Sequence, residues 1–217
     1  MSQKKSNLSV AAIIEARMGS SRLPGKVLAD INGLPAIQRL VNRLSLSQEL
    51  DHIVLATSTS SKDDALESWA NKNGISCFRG SEENVLQRVV DASNYVNCDI
   101  IVEITGDCIL SDHEIIDQSI ITFFENNCDV VTNCGTYLSY PMGIYTQVFR
   151  KNDLEWISKN INDKAVQEHV SLYFYENPEK YKILNLVAPK SYSYPEWRLQ
   201  LDYPEDLKLL NEIYKHL

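Results

Sequence analysis

No run of apolar residues in this chain approaches the roughly 18 positions that a membrane-crossing helix needs. The opening stretch, MSQKKSNLS, is polar and lacks the apolar middle of a signal peptide, so the expected location is cytoplasmic. There is no CxxC pair, and the five cysteines (Cys77, Cys98, Cys108, Cys128, Cys134) are odd in number. That pattern reads as reduced thiols, neither a disulfide framework nor a zinc site. A broad basic face is also missing: 21 Lys and Arg stand against 29 Asp and Glu, for a formal charge of -8. A general nucleic-acid binder is thereby excluded. Repeats, low-complexity tracts and an obvious linker are absent too. With 44% hydrophobic residues over 217 positions, one domain with a full core is expected, residues 137 to 195 forming at most a small lobe.

Short apolar runs alternate with segments of helical period. Val10–Glu15, His52–Thr57, Asp99–Thr105 and Cys128–Asn133 read as buried strands rich in Ile and Val. Between them, Ala65/Leu66/Trp69/Ala70, Val85/Leu86/Val89/Val90 and Ile115/Ile116/Ile120/Phe123/Phe124 recur at helical spacing. This alternation predicts an α/β fold, a mostly parallel sheet with helices on both faces. Beyond residue 140 the rhythm changes. Ile144–Arg150, Lys182–Ala188 and Trp197–Leu201 read as strands, Lys164–Tyr175 as a helix, and Pro204–Leu217 as a closing helix with Asp202 near its cap.

Positive charge is concentrated in one place. Directly after the first strand, the stretch EARMGSSRLPGKVL from Glu15 to Leu28 carries Arg17, Arg22 and Lys26 among Gly and Ser. Open α/β sheets bind ligands at the carboxyl ends of their strands. Backbone amides of a flexible loop with fixed cations beside them suit a polyphosphate. The loop is not a Walker-type P-loop: five residues separate Gly19 from Gly25, and Val27 follows Lys26 where a hydroxyl would be required. It does not fit G-x-G-x-x-G either. Two acids at other strand ends, Asp107 in Thr105-Gly106-Asp107 and Asp202 in Leu201-Asp202-Tyr203-Pro204, would face this loop in a parallel sheet. Such a pair suits Mg²⁺ shared between protein and phosphate oxygens.

The stretches EARMGSSRLPGKVL, IVLATSTS, FRGSEENVLQR, ITGDC and LDYPEDL, in this order, resemble the SpsF-type cytidylyltransferases of spore-coat and surface polysaccharide biosynthesis. These are relatives of the CMP-KDO and CMP-N-acylneuraminate synthetases. The resemblance covers nearly the whole chain. It implies a Rossmann-like three-layer nucleotidyltransferase fold, CTP as nucleotide, Mg²⁺ as cofactor, release of pyrophosphate, a small anionic acceptor such as a sugar acid, and a homodimer. By position it implies that Arg17 and Lys26 grip the triphosphate, with Ala16, Met18, Gly19, Ser20 and Arg22 in the nucleotide loop. Thr57 would close the pocket behind the base, and Arg79, Gly80 and Ser81 would lie near cytosine. Asp107 and Asp202 match the metal-binding aspartates. Asn133, Tyr145, Gln147 and His169 fall on the acceptor side, the last three within the lobe at about 137–195 that would serve acceptor binding or dimerisation.

Three departures from the family pattern stand out. Glu15 occupies a position usually held by Gln, Ile109 one usually held by Pro, and Tyr145 and Gln147 replace an acidic pair. The last change points to a more anionic acceptor, such as a sugar acid or a phosphonate. Two other readings stay open on the sequence. A nucleotide-sugar glycosyltransferase would hold its metal through D-x-D, whereas Gly106-Asp107-Cys108 offers one acid. A non-catalytic nucleotide-binding relative would retain the loop without turnover.

Overall fold

Alternate residues of the first strand point into different apolar layers, which is why it reads as an unbroken hydrophobic run. In β1 (Val10–Glu15), Val10, Ala12 and Ile14 enter one buried cluster while Ala11 and Ile13 enter another. The first layer is closed by α1 (Ala36–Leu44), α2 (Asp64–Lys72) and α4 (His113–Glu125). The second is closed by α3 (Val85–Tyr95), α5 (Lys151–Asn160), α6 (Lys164–Glu168) and α7 (Leu172–Glu176). The computed structural model describes residues 7–135 and 137–217. Residues 1–6, which carry most of the polar opening stretch, lie outside the described residues.

A short ribbon, β2 (Asp30–Ile31) with β3 (Leu34–Pro35), follows the first loop. The main sheet contains β1, β4 (His52–Ser58), β5 (Ser76–Gly80), β6 (Ile100–Thr105), β7 (Val130–Thr132), β8 (Gln147–Arg150) and β9 (Ile183–Asn185). Its seven strands run in the order β5-β4-β1-β6-β8-β7-β9. β8 pairs antiparallel with both β6 and β7, and all other pairings are parallel. The expected mostly parallel three-layer sheet is therefore present. The chain winds outward from β1 through β4 to β5, then returns to place β6 on the other side of β1. That reversal is a topological switch point, and a crevice opens between the loops that leave β1 and β6.

Several elements differ from the sequence expectation. The helix read over Lys164–Tyr175 is interrupted at His169, whose backbone is extended, giving α6 and α7. Val166, Val170, Tyr173 and Phe174 would share a face in a continuous helix as well, so the period does not reveal the break. Trp197–Leu201 is not a ladder strand. It contacts irregular chain on both sides: Leu199 N–H donates to Met142 O at 2.7 Å, and Leu201 N–H to Asp107 O at 3.0 Å. The strands within Ile144–Arg150, Cys128–Asn133 and Lys182–Ala188 are shorter than expected, and α8 (Pro204–Ile213) stops before Leu217. At its start Asp206, not Asp202, accepts the Asp202 and Tyr203 amides, each at 2.8 Å. Residues 137–195 supply β8 in the middle of the sheet and α5 against α3, as well as irregular chain at its edge.

Candidate active site

The loop after β1 is braced before it meets any ligand. Met18 O accepts amides from Ser20 (3.0 Å) and Gly25 (3.1 Å), so the segment folds back on itself. Gly25 sits at φ +73°, in the left-handed region that glycine enters without strain, and a short turn through Lys26–Leu28 follows. Met18 N–H donates to Asp63 Oδ1 at 2.7 Å, and the same buried carboxylate accepts the Ser58 amide at 3.1 Å and the Ser58 hydroxyl. Burial alone would raise the Asp63 carboxyl, but these bonds from Ser58 and Met18 hold it below its usual range. Asp63 thus fastens the loop to the end of β4.

Above the switch point lies a cavity of about 370 Å³ whose walls include Arg17, Gly19, Ser20, Arg22, Lys26 and Asp107. The Lys26 ammonium sits between two acids, 2.6 Å from Asp107 Oδ2 and 2.8 Å from Asp202 Oδ1. Asp202 is 4% exposed and carries two further partners, Arg22 at 2.8 Å and Arg198 at 2.7 Å. Burial would raise this carboxyl too, yet the hydrogen bonds from Lys26 and Arg198 and the charge of Arg22 hold it low. Arg22 and Arg198 lie over the Tyr203 ring, at 5.3 and 5.4 Å from its centroid. Gly106 allows the β6 loop to approach β1: a Cβ there would lie 2.8 Å from Ala16 Cβ and 3.1 Å from Glu15 O.

The first loop and both acids therefore converge, Asp107 from just beyond β6 and Asp202 from irregular chain before α8 rather than from a strand end. Other candidates hold different places. Arg17 pairs with Glu168, another residue of the cavity wall, at 3.4 Å. Arg79 is fully engaged in bracing β5: Nε donates to Ser58 O (2.9 Å), NH2 to Ser60 O (2.7 Å), and NH1 pairs with Asp64 (2.7 Å) and Glu67 (2.8 Å). Arg79 is not among the residues of the cavity wall. Thr57 is buried beside Asp63, and Gly80 and Ser81 lead into α3. Buried Asn133 ties strand ends together, donating to Ile144 O at 2.9 Å and accepting the Thr146 amide at 2.8 Å. His169 is exposed at the end of α6. Tyr145 is half-buried, and burial raises its phenol. The described cysteines form no disulfide, and burial pushes Cys77, Cys98 and Cys134 up to about 11.

Sequence reasoning missed a buried polar chain under this cavity. Gln147 Nε2 donates to Glu103 Oε2 at 3.2 Å, and the Tyr175 hydroxyl donates to Gln147 Oε1. Burial pushes the Glu103 carboxyl up to about 7, against the opposing pull of hydrogen bonds with Ser171 and Glu15. Burial, then the charge of Glu103, also drives Glu15 well above the ordinary carboxylate range. An unfolded Glu ionises near 4.5, whereas folded Glu103 keeps its proton to about 7. Stability is present below the lower value and is lost as pH rises through the interval. Glu103→Gln removes that loss. Urea unfolding should show the variant gaining on the wild type by about 3 kcal/mol between pH 4.5 and 7.5. Parallel pH curves would refute the assignment.

A family model described as cytidylyltransferase matches residues 11–216. The chain is 38% identical over 209 residues to the spore coat polysaccharide biosynthesis protein SpsF of Bacillus subtilis, covering 94% of this chain and 85% of that one. A cytidylyltransferase structure from Leptospira borgpetersenii superposes with a TM-score of 0.91 at 33% identity, over 97% of this chain and 88% of the other. The CMP:2-keto-3-deoxy-manno-octonic acid synthetase solved with CTP has a TM-score of 0.71 at 19% identity, covering 96% and 99%, and shares the fold. With loop, acids and sheet all in the expected arrangement, this chain belongs to the cytidylyltransferase family.

Proposed function

We propose that this cytidylyltransferase transfers CMP from CTP to a sugar acid or similar anionic acceptor in surface polysaccharide synthesis, using Mg²⁺. The observation that carries the reading is the placement of the Lys26 ammonium within 2.8 Å of both Asp107 and Asp202 at the sheet's switch point. Two carboxylate oxygens converging on one positive centre already form a cation site. Among the described residues no cluster of three or more His, Cys, Asp or Glu is poised for a metal. A pair of acids suits Mg²⁺, which keeps waters and takes substrate phosphate oxygens as its remaining ligands. Asp107 and Asp202 would hold the ion, which when bound would offset phosphate charge and orient the α-phosphate.

The chain's own groups supply the rest. Lys26 exchanges its carboxylate partners for phosphate oxygens, and Arg17 leaves exposed Glu168 for the triphosphate. Loop residues 16–20 fix the nucleotide's position. The acceptor oxygen attacks the α-phosphorus, the α–β bridging bond breaks, and pyrophosphate departs with the bonding electrons. Positioning and charge neutralisation dominate such chemistry. Tyr145 and His169 would face the acceptor, while Gln147, engaged by Glu103 and Tyr175, would act on it only through that chain.

A second copy would complete the protein. An apolar groove of about 550 Å³ beside α8 is lined by Leu110, Ile115, Tyr140, Trp197 and Leu199, among others, and Trp197 is half exposed and stacked on Tyr194 at 4.2 Å. A homodimer covering this groove accounts for its exposure. Pyrophosphate release, coupled to phosphate detection across the four nucleoside triphosphates and a panel of sugar acids and aminoalkylphosphonates, tests the function. Release with CTP and an acidic acceptor supports it. UDP formed from a UDP-sugar without pyrophosphate would favour the glycosyltransferase, and no product with any pair the non-catalytic relative.

A further inference from the structure

Arg88 takes no part in the phosphate loop or the acid pair, yet it is 2% exposed and lies in the wall of the same cavity. It stands in the first turn of α3. Its NH1 donates to Ser81 O and, at 3.5 Å, to Glu82 O, anchoring the guanidinium edge. Gly80 makes room for its stem, since a Cβ there would lie 3.1 Å from Arg88 Cγ. Nε, by contrast, is buried and has no hydrogen-bond partner among the described residues. Glu15 Oε1, in the same cavity wall, is likewise buried and unpartnered. An orphaned donor and an orphaned acceptor in one cavity each cost stability unless a ligand satisfies them.

We propose that Arg88 and Glu15 read the pyrimidine of the nucleotide, Arg88 donating to the ring acceptors and Glu15 accepting from the exocyclic amine. The proposal rests on the CTP reading above. Cytosine presents acceptors at N3 and O2 beside the N4 amine. Uracil keeps O2 but presents N3–H and O4 in place of N3 and the amine, so the Arg88 contact to N3 and the Glu15 contact to the amine would each meet a group of like polarity. Phosphate is a poor occupant for this part of the cavity. Arg88 lies within the field of Glu15, and Glu15 within that of Glu103 and Asp107, whereas Arg17, Arg22 and Lys26 supply positive charge in the loop. Val85 and Ala16 add apolar surface suited to a flat ring.

Calorimetric titration of the full-length protein with CMP, UMP and inorganic tripolyphosphate tests the assignment. Wild type should prefer CMP to UMP. Equal binding of the two would remove both the cytidine reading and this proposal. Arg88→Gln should weaken CMP by about tenfold to a hundredfold and shrink the CMP:UMP ratio, leaving tripolyphosphate within about twofold. Parallel loss of tripolyphosphate would show a phosphate contact, and an unchanged CMP:UMP ratio a structural arginine. Either overturns the proposal while sparing the CTP reading. Should Arg88→Gln not fold by circular dichroism, Glu15→Ala decides. It removes the acceptor for the exocyclic amine, so the ratio should fall about tenfold, and a ratio equal to wild type would overturn the proposal.

Discussion

Lys26→Ala should lower pyrophosphate release from CTP by about three orders of magnitude while the protein remains folded. Lys26 is the cation common to both acids, and it sits in the wall of the cavity. A unit charge near 4 Å is worth roughly 4 kcal/mol at an effective dielectric of 20, and each 1.36 kcal/mol of barrier is about tenfold in rate. Arg17 and Arg22 line the same cavity but do not substitute for it, because Arg22 is held on Asp202 and Tyr203. Single-turnover rates with saturating CTP check the effect, and a decrease of under tenfold would contradict the role.

The two acids should separate cleanly when each is replaced by asparagine. Asp107 has one ion-pair partner, Lys26, and retains some exposure. Asp202 is buried and balances Lys26, Arg22 and Arg198. Removing one partner of a buried ion cluster costs about 3–5 kcal/mol, because the remaining charges are left uncompensated. Asp202→Asn should therefore lose stability on that scale as well as activity. Asp107→Asn should abolish turnover with a denaturant midpoint close to wild type. Equal midpoints for the two variants would show that Asp202 does not organise the cations.

Much of this was legible in the chain because the informative residues lie at strand ends. β1 reads as a continuous apolar run because both its faces are covered, and the basic loop follows it at once. Asp107, two residues beyond β6, then falls at the same edge by the parallel rule. Less was legible where tertiary contacts decide. Glu103, Gln147 and Tyr175 meet only because β8 inserts between β6 and β7, a topology no local period records. Arg79 is an apparent base contact in sequence, but its donors are taken partly by the Ser58 and Ser60 carbonyls, which carry no sequence signature. Trp197–Leu201 has a strand-like composition, yet its neighbours are irregular segments. Arg88 sits among the helical apolar positions of α3, where its period gives no hint of an unpartnered Nε.

Electron paramagnetic resonance of Mn²⁺, standing in for Mg²⁺, tests most directly whether loop cation and distant acids share one metal–triphosphate. Without nucleotide, Lys26 already occupies both acids, so the wild type should leave nearly all Mn²⁺ free; adding CTP should bind one ion per chain, and Asp107→Asn should prevent it. Tight uptake without CTP, or undiminished uptake by Asp107→Asn with CTP, would contradict the account.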